Sequence, residues 1–407
     1  MQLRRLPPRV SFYSIWPYLA LLAAVLLIFR LDRPFRVIDG AAAGSGERFA
    51  AIDGLRGLLA FGVFGHHAVL IPQYLETGKW LAPPSVFYTM IGEVGVSLFF
   101  AITGFLFWGK LLHERDGPDW KRLYTGRIFR IGPVYLAVAT VVLLVVFVQT
   151  RFTLQEPASE VALDTARWLA LGALGQPDVN GYDDTGRLLA GVTWTLMYEW
   201  LFYLSLPLLA LFARGGRHLW YALGGFIACC VLHAALGRPQ AIYAGLFFCG
   251  MVSASVAHRG WRIRPGSRLA PALMLACLAL LFTQFSTVVG VPQLIVLGVL
   301  FGAVCIGGRS TALETKAARR LGEISYSVYL VHGLVLTGVF SIGAVRSYAM
   351  ASTGGYWLTI ALCGLLVVGA AALSYLLIER PGIRLGKKVA GWLAPAGSSG
   401  KRVVAAH

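Results

Sequence analysis

From residue 50 onward, ten apolar runs follow one another at 50–71, 85–109, 131–149, 188–212, 218–236, 240–257, 269–287, 291–307, 322–344 and 355–378. A bilayer core needs about 20 apolar residues per crossing helix. Backbone facing lipid must satisfy its own hydrogen bonds, so each run should be a helix. The runs predict an all-α integral membrane protein, a bundle of about ten transmembrane helices. Composition points the same way. With 57% hydrophobic and 14% charged residues, a soluble chain of this size would lack the polar surface to cover itself.

A net charge of +17 would ordinarily suggest a nucleic-acid partner, but the positions of the charges exclude it. Lys and Arg lie almost entirely in the short connections, as the positive-inside rule produces. If 110–130 is cytoplasmic, 22 basic residues fall on that side of the alternating connections and 6 on the other. The split predicts cytoplasmic segments at 110–130, 258–268, 308–320 and the C-terminus, and an outer segment at 151–187. That outer segment is long for a connection, which makes it a candidate for function. It carries the acidic pair Asp183-Asp184, a weak signal for a metal or sugar-phosphate site.

The reading divides the chain into an N-terminal segment 1–49, a membrane domain 50–385 and a short basic tail 386–407 expected to be disordered. Residues 14–29 add one extra N-terminal hydrophobic helix. Charge does not orient it, because arginines flank both of its ends. A spanning helix with an outside N-terminus is the expectation, and a helix lying on the inner leaflet is the alternative. Ala41–Ala43 is too far from the run to serve as a signal-peptide cleavage site. The six cysteines lie inside apolar runs without a CxxC pair or a His/Cys cluster, so they read as packing residues and no metal is expected.

Ionisable side chains within spans are costly and draw attention. Arg56 and His67 stand eleven residues apart, about three helical turns, so they face the same way about 16 Å apart along the axis. Gly54, Gly57, Gly62 and Gly65 leave room beside them for packing or a ligand. The bland alternative is a snorkelling Arg and a hydrogen-bonded interior His.

Here the chain resembles the acyltransferase-3 family of membrane O-acyltransferases. Asp53-Gly-Leu-Arg56 with Arg56-x10-His67 is similar to the family's first helix, and Gly95-Val-Ser97-Leu-Phe-Phe-Ala-Ile-Thr103-Gly104-Phe to its second. Arg127-Ile-Phe-Arg130-Ile-Gly-Pro133-Val-Tyr135 resembles its RxxR segment, and Trp194-Thr-Leu-Met-Tyr-Glu199 its WxLxxE helix. Ile324-Ser-Tyr-Ser-Val-Tyr-Leu-Val-His332 and Glu379-Arg-Pro381 resemble its closing motifs. Ser97 and Thr103 stand where the family often has Asp and Ser. Many members carry a further hydrolase-like domain, and none is expected here after the last motif.

The resemblance implies a cytoplasmic acyl-CoA donor, acetyl-CoA being the expected one, with no permanently bound cofactor. Arg127 and Arg130, one turn apart near a helix N-terminus, would grip its phosphates, with Arg56 helping. His67 would act as base or covalent carrier. Thr195, Glu199 and Tyr203 form one polar stripe, and Ser325, Tyr329 and His332 another. Catalytic candidates are therefore His67, Glu199 and His332. Asp53, Trp194, Tyr203, Ser325 and Tyr329 are candidates for acceptor binding or support. For Glu199 and His332 a purely structural task, an ion pair or an interior hydrogen bond, is the competing reading.

The implied acceptor is a hydroxyl of an extracytoplasmic glycan such as an exopolysaccharide, free or lipid-linked. The implied place is the bacterial inner membrane, and a homo-oligomer is compatible with it. Three other classes compete, and of these a structural or scaffolding protein would not need Arg56, His67, Glu199 and His332 inside spans. A secondary transporter would show paired broken helices or repeated halves. A glycosyltransferase using a lipid-linked sugar would place an acidic motif in an outer loop near the first spans.

Overall fold

The structure is a computed structural model and describes residues 12–39, 50–114, 117–264, 266–307 and 312–393. The N-terminal side holds α1 (Ile15–Phe29), α2 (Asp32–Phe35), α3 (Ala50–Ala68), α4 (Ile71–Thr77), α5 (Val86–His113) and α6 (Trp120–Gln149). Then come α7 (Ala158–Leu169), α8 (Trp194–Ala213), α9 (His218–Leu236), α10 (Pro239–His258), α11 (Leu269–Gln284) and α12 (Val291–Ile306). The last group is α13 (Lys316–Glu323), α14 (Ser325–Ser341), α15 (Gly343–Ala351), α16 (Thr353–Ser374) and α17 (Arg380–Trp392). No strand occurs among the described residues. The molecule is an all-α membrane protein.

Every apolar run is helical, but they are not equivalent. Among the described residues, seven helices are long and apolar enough to cross a bilayer, and α13 with α14, bent by 66° at Ile324, makes an eighth if the pair is one span. The ninth run is thus broken rather than straight. The runs at 14–29, 269–287 and 291–307 become helices of 15, 16 and 16 residues. At a rise of 1.5 Å per residue these reach about 24 Å, short of the ~30 Å core.

Two expectations are corrected at helix ends. The third run was expected to open a helix near Arg130. Instead α6 starts at Trp120, where the Asp119 carboxylate caps it by accepting from Arg122 N at 3.0 Å. Arg127 and Arg130 therefore lie inside α6, away from the free N–H groups of its first turn. The tail from 386 was expected to be disordered. Residues 386–392 continue α17, which follows a π-helical segment at Tyr375–Glu379. Residues 394–407, 40–49 and 1–11, with the expectations attached to them, lie outside the described residues.

Small residues set the packing, as expected where lipid offers no hydrophobic drive. A side chain on Gly104 would meet the Phe247 backbone, and one on Gly250 the Ala101 carbonyl, so α5 and α10 pack backbone to backbone. Gly54 and Gly57 are covered in the same way by Leu313 and by Ala318–Gly322 on the α13 side, and Gly65 is covered by the Tyr18 ring. The glycines of α3 therefore serve helix contact rather than ligand access.

The helices give the molecule two ends. His113, Gly216 and His258 gather at the end rich in arginine, where Arg259 donates to Gly216 O at 2.9 Å. α1 runs lengthwise between the ends. Tyr88 donates to Ser14 O at the far end, and Arg320 donates to Phe29 O and Leu31 O at the basic end. Arg320, 2% exposed, also holds Asp39 and Asp32 at 2.6 and 3.1 Å. The segment after α1 is thereby clasped to α13.

Candidate active site

The far half of α3 carries two neighbouring histidines with different surroundings. His66 turns toward α5, where its Nδ1 donates to Tyr88 O at 2.8 Å and its ring fills the space that Gly92 leaves. His67 turns toward α14. Its Nδ1 lies 3.0 Å from Val63 O and 3.1 Å from Nε2 of the fully buried His332. His332 Nδ1 in turn lies 3.1 Å from Val328 O.

A carbonyl only accepts, so His332 Nδ1 carries the hydrogen. In a neutral ring Nε2 then has a lone pair and accepts from His67 Nδ1–H. The chain of hydrogen bonds fixes both tautomers and leaves His67 Nε2 unprotonated.

His67 lines a cavity of about 210 Å³ together with Glu93, Trp194, Tyr243 and the turn Ala190–Val192. Trp194 and Tyr243 lie with ring centroids 5.1 Å apart. The turn follows a 3-10 segment at Thr185–Leu189, and Asp184, Ala190 and Gly191 have left-handed backbones. This explains why the fourth helix starts at Trp194 and not at 188. Asn180 ties the outer segment together by donating to Thr150 Oγ1 and Thr153 O, both at 2.9 Å. Arg187 lies over the Tyr74 ring at 4.3 Å. The long segment thus folds over the histidine end of the bundle.

A second cavity, also about 210 Å³, holds the basic residues. Arg56, Arg127 and Arg130 line it with Thr195, Glu199 and Tyr203, so the whole polar stripe of α8 faces it. Tyr203 donates to Glu199 Oε2 at 2.7 Å. Ser325 and Tyr329 are on its wall too, and the buried Ser325 hydroxyl has no hydrogen-bond partner. Tyr329 donates to Val192 O at 3.0 Å and lies 3.1 Å from Thr195 Oγ1. The two cavities meet at Val96, Phe100 and Tyr329, which line both.

The sequence-derived candidates therefore fall into two groups. His67 and Trp194 line the histidine chamber, and the fully buried His332 stands behind its wall against His67. Arg56, Arg127, Arg130, Glu199, Tyr203 and Ser325 belong to the basic chamber, and Tyr329 stands between. Asp53 lines neither. Glu199 is in the basic chamber and not beside His67.

Two carboxylates were given no role in the sequence. Glu379, fully buried, lies 3.9 Å from Arg130 and accepts from Ser327 at 2.9 Å. Glu93 accepts from Val288 N at 2.7 Å and Thr287 Oγ1 at 3.0 Å at the edge of the histidine chamber. A lone carboxylate inside the apolar run 85–109 was the available signal for Glu93. Glu379 was visible only as part of a closing motif. Among the described residues, no group of three or more His, Cys, Asp or Glu is disposed to hold a metal ion.

The sequence profile of the acyltransferase-3 family, described as an acyltransferase domain, matches residues 49–379. The chain belongs to this family. Its relatives agree in kind. It is 25% identical over 375 residues to acyltransferase MdmB of Streptomyces mycarofaciens, covering 83% of this chain and 92% of that one. It is 26% identical over 313 residues to exopolysaccharide production protein ExoZ of Rhizobium meliloti, covering 73% and 91%. It is 27% identical over 347 residues to nodulation protein 10 of Rhizobium leguminosarum bv. viciae, covering 77% and 88%. No solved structure matches the chain. The acyltransferase-3 protein described here is thus an acyltransferase of the kind that moves groups other than aminoacyl groups.

Proposed function

We propose that this acyltransferase moves an acetyl group from cytoplasmic acetyl-CoA to a hydroxyl of an extracytoplasmic glycan, across the bacterial inner membrane. The observation that carries the reading is the meeting of the two chambers at Val96, Phe100 and Tyr329, with three arginines on one side and the paired histidines on the other. Arginine forks suit phosphate oxygens. In this reading Arg127 and Arg130 hold donor phosphates and Arg56 supports them. The pantetheine arm passes the aromatic divider and presents its thioester to His67.

His67 Nε2 takes the proton of the acceptor hydroxyl as the oxygen attacks the thioester carbonyl. The tetrahedral intermediate collapses, the C–S bond breaks, and the departing thiolate takes the proton back from His67. While His67 is protonated, its Nδ1–H remains held by His332, which keeps the ring in register. Trp194 and Tyr243 offer flat apolar faces, and Glu93 an acceptor, suited to a sugar bearing hydroxyls. The likeness to an exopolysaccharide production protein supports a glycan acceptor.

The test is transfer of label from acetyl-CoA carrying a labelled acetyl group into surface material of cells with and without the gene, analysed by mass spectrometry of the glycans. Ester-linked acetyl groups present only with the gene are expected. Glycans identical in both strains would overturn the acceptor assignment. An absence of label transfer from acetyl-CoA by membranes containing the protein would overturn the donor.

A further inference from the structure

We infer that the basic end carries a phosphate-binding vestibule for the nucleotide end of a coenzyme A thioester, outside the chamber of Arg56, Arg127 and Arg130. The inference rests on the donor reading above. It begins from room. The basic chamber, at about 210 Å³, is small beside the ~300–1,000 Å³ that drug-sized ligands occupy. It suits the slender arm and its nearest phosphate, and the adenosine with its own phosphate needs space elsewhere.

Two further cavities supply that space. One of about 270 Å³ has Lys110, His113, His258 and Arg262 on its wall. Another of about 430 Å³ has Arg214, His218 and His258. The first shares Leu106 with the basic chamber, and the two share His258. The hollows therefore adjoin in series, from the arginine chamber past Leu106 to Lys110 and Arg262, then past His258 to Arg214.

The wall is built for an anion with a flat ring attached. Lys110, Arg214 and Arg262 bring positive charge, and Glu114 approaches Lys110 at 3.8 Å. The His113 and His218 rings stand edge-on to His258, at centroid distances of 5.0 and 5.4 Å. His218 is 6% exposed, yet its Nδ1 has no hydrogen-bond partner. A buried polar atom without a partner is costly, and a ligand in this cavity would satisfy it. The chemistry shared by donor nucleotide and membrane phospholipid is the phosphate. The series of cavities leading to the arginine chamber favours the nucleotide.

The experiment measures binding of coenzyme A to the purified protein in phosphatidylcholine nanodiscs, with adenosine 3′,5′-bisphosphate as competitor. Lys110→Ala with Arg262→Ala should weaken coenzyme A about tenfold or more, given the strength of charge-assisted phosphate contacts. His258→Ala should weaken it less, and in the double variant the competitor should cease to displace. Both cationic positions are outside the packed interior, and an unchanged thermal midpoint checks folding. Coenzyme A bound as tightly by the variants as by the parent, while Arg127→Ala weakens it, would overturn the vestibule and leave the donor reading standing. A parent that binds no coenzyme A would overturn both. If phosphatidylglycerol in the nanodisc abolishes the competitor's effect on the parent, the cavity takes a lipid headgroup and the nucleotide assignment falls.

Discussion

His67 and His332 are separated by 265 positions and meet at 3.1 Å, so each can be tested against its neighbour. His67→Gln retains size and hydrogen bonding but cannot carry a proton. Turnover should fall by ~10²–10⁴-fold while the protein remains folded in the membrane. His66→Gln should keep most activity, because that ring is committed to Tyr88 O. His332→Phe should leave donor binding intact and lower kcat, since His332 positions His67 and touches no phosphate. Steady-state transfer assays with each variant decide this, and near-parental turnover in His67→Gln would pass the catalytic role elsewhere. The two polar stripes and the Arg56–His67 register were legible because helical periodicity acts within a single helix. The pairing of His67 with His332 was not, since periodicity says nothing of which helix packs against which. Glu379 was hidden for the same reason: its partner Arg130 lies on another helix, reached only once α17 folds back along α6.

Among the helices, α6 decides how its arginines work. Because Arg127 and Arg130 lie within the helix, no free backbone N–H groups assist them, and the side chains alone face the chamber. Replacing either by Lys keeps the charge but loses the fork. Each Ala variant should weaken the donor by about 1.5–3 kcal/mol, or roughly 10- to 150-fold, and Lys should restore only part. Equal affinities in all variants, measured by titration with coenzyme A, would make these arginines markers of topology alone.

The clasp between α13 and the segment after α1 makes a separate prediction. The hydrogen bond from Lys316 holds Asp32 below its usual carboxylate range, and that from Arg320 does the same to Asp39. A depressed carboxylate stabilises the fold above the unfolded value near 3.9, and the contribution disappears as pH falls through the folded value. Asp39→Asn should therefore lower the thermal midpoint more at pH 7 than at pH 3. An equal deficit at both values would show that the clasp is held by shape and not by charge. Where the sequence misjudged helix ends, local chemistry was the cause: the Asp119 cap lengthened α6 inward, and left-handed turns at Ala190 and Gly191 shortened α8.

At the scale of the whole molecule, the uneven placement of lysine and arginine sets the expected direction in the membrane. Cysteines introduced at 258–264 or 312–316 should be shielded from an impermeant thiol reagent applied outside cells, while one in 151–187 reacts. The reverse pattern would invert the path proposed for the donor. The number of apolar runs was legible in the sequence. Their unequal depth was not, because a run of apolar residues does not disclose where a helix will bend, as at Ile324, or stop short, as α11 and α12 do.

The aromatic divider has a consequence at this scale that concerns electricity more than chemistry. The arginine chamber lies toward the basic end and the histidine chamber toward the far end, and a living membrane holds a voltage between those ends. On the proposed donor path, Val96, Phe100 and Tyr329 would be the insulation of the protein, the place where that voltage drops. Phe100→Ala, which removes the largest apolar part of the seal, should make liposomes containing the protein leak protons under an imposed potential, as read by an entrapped pH dye. The parent should stay tight. Selection at this position would thus act on the energy balance of the cell as much as on catalysis, and a bulkier acyl group that wedged the divider open would carry the same penalty.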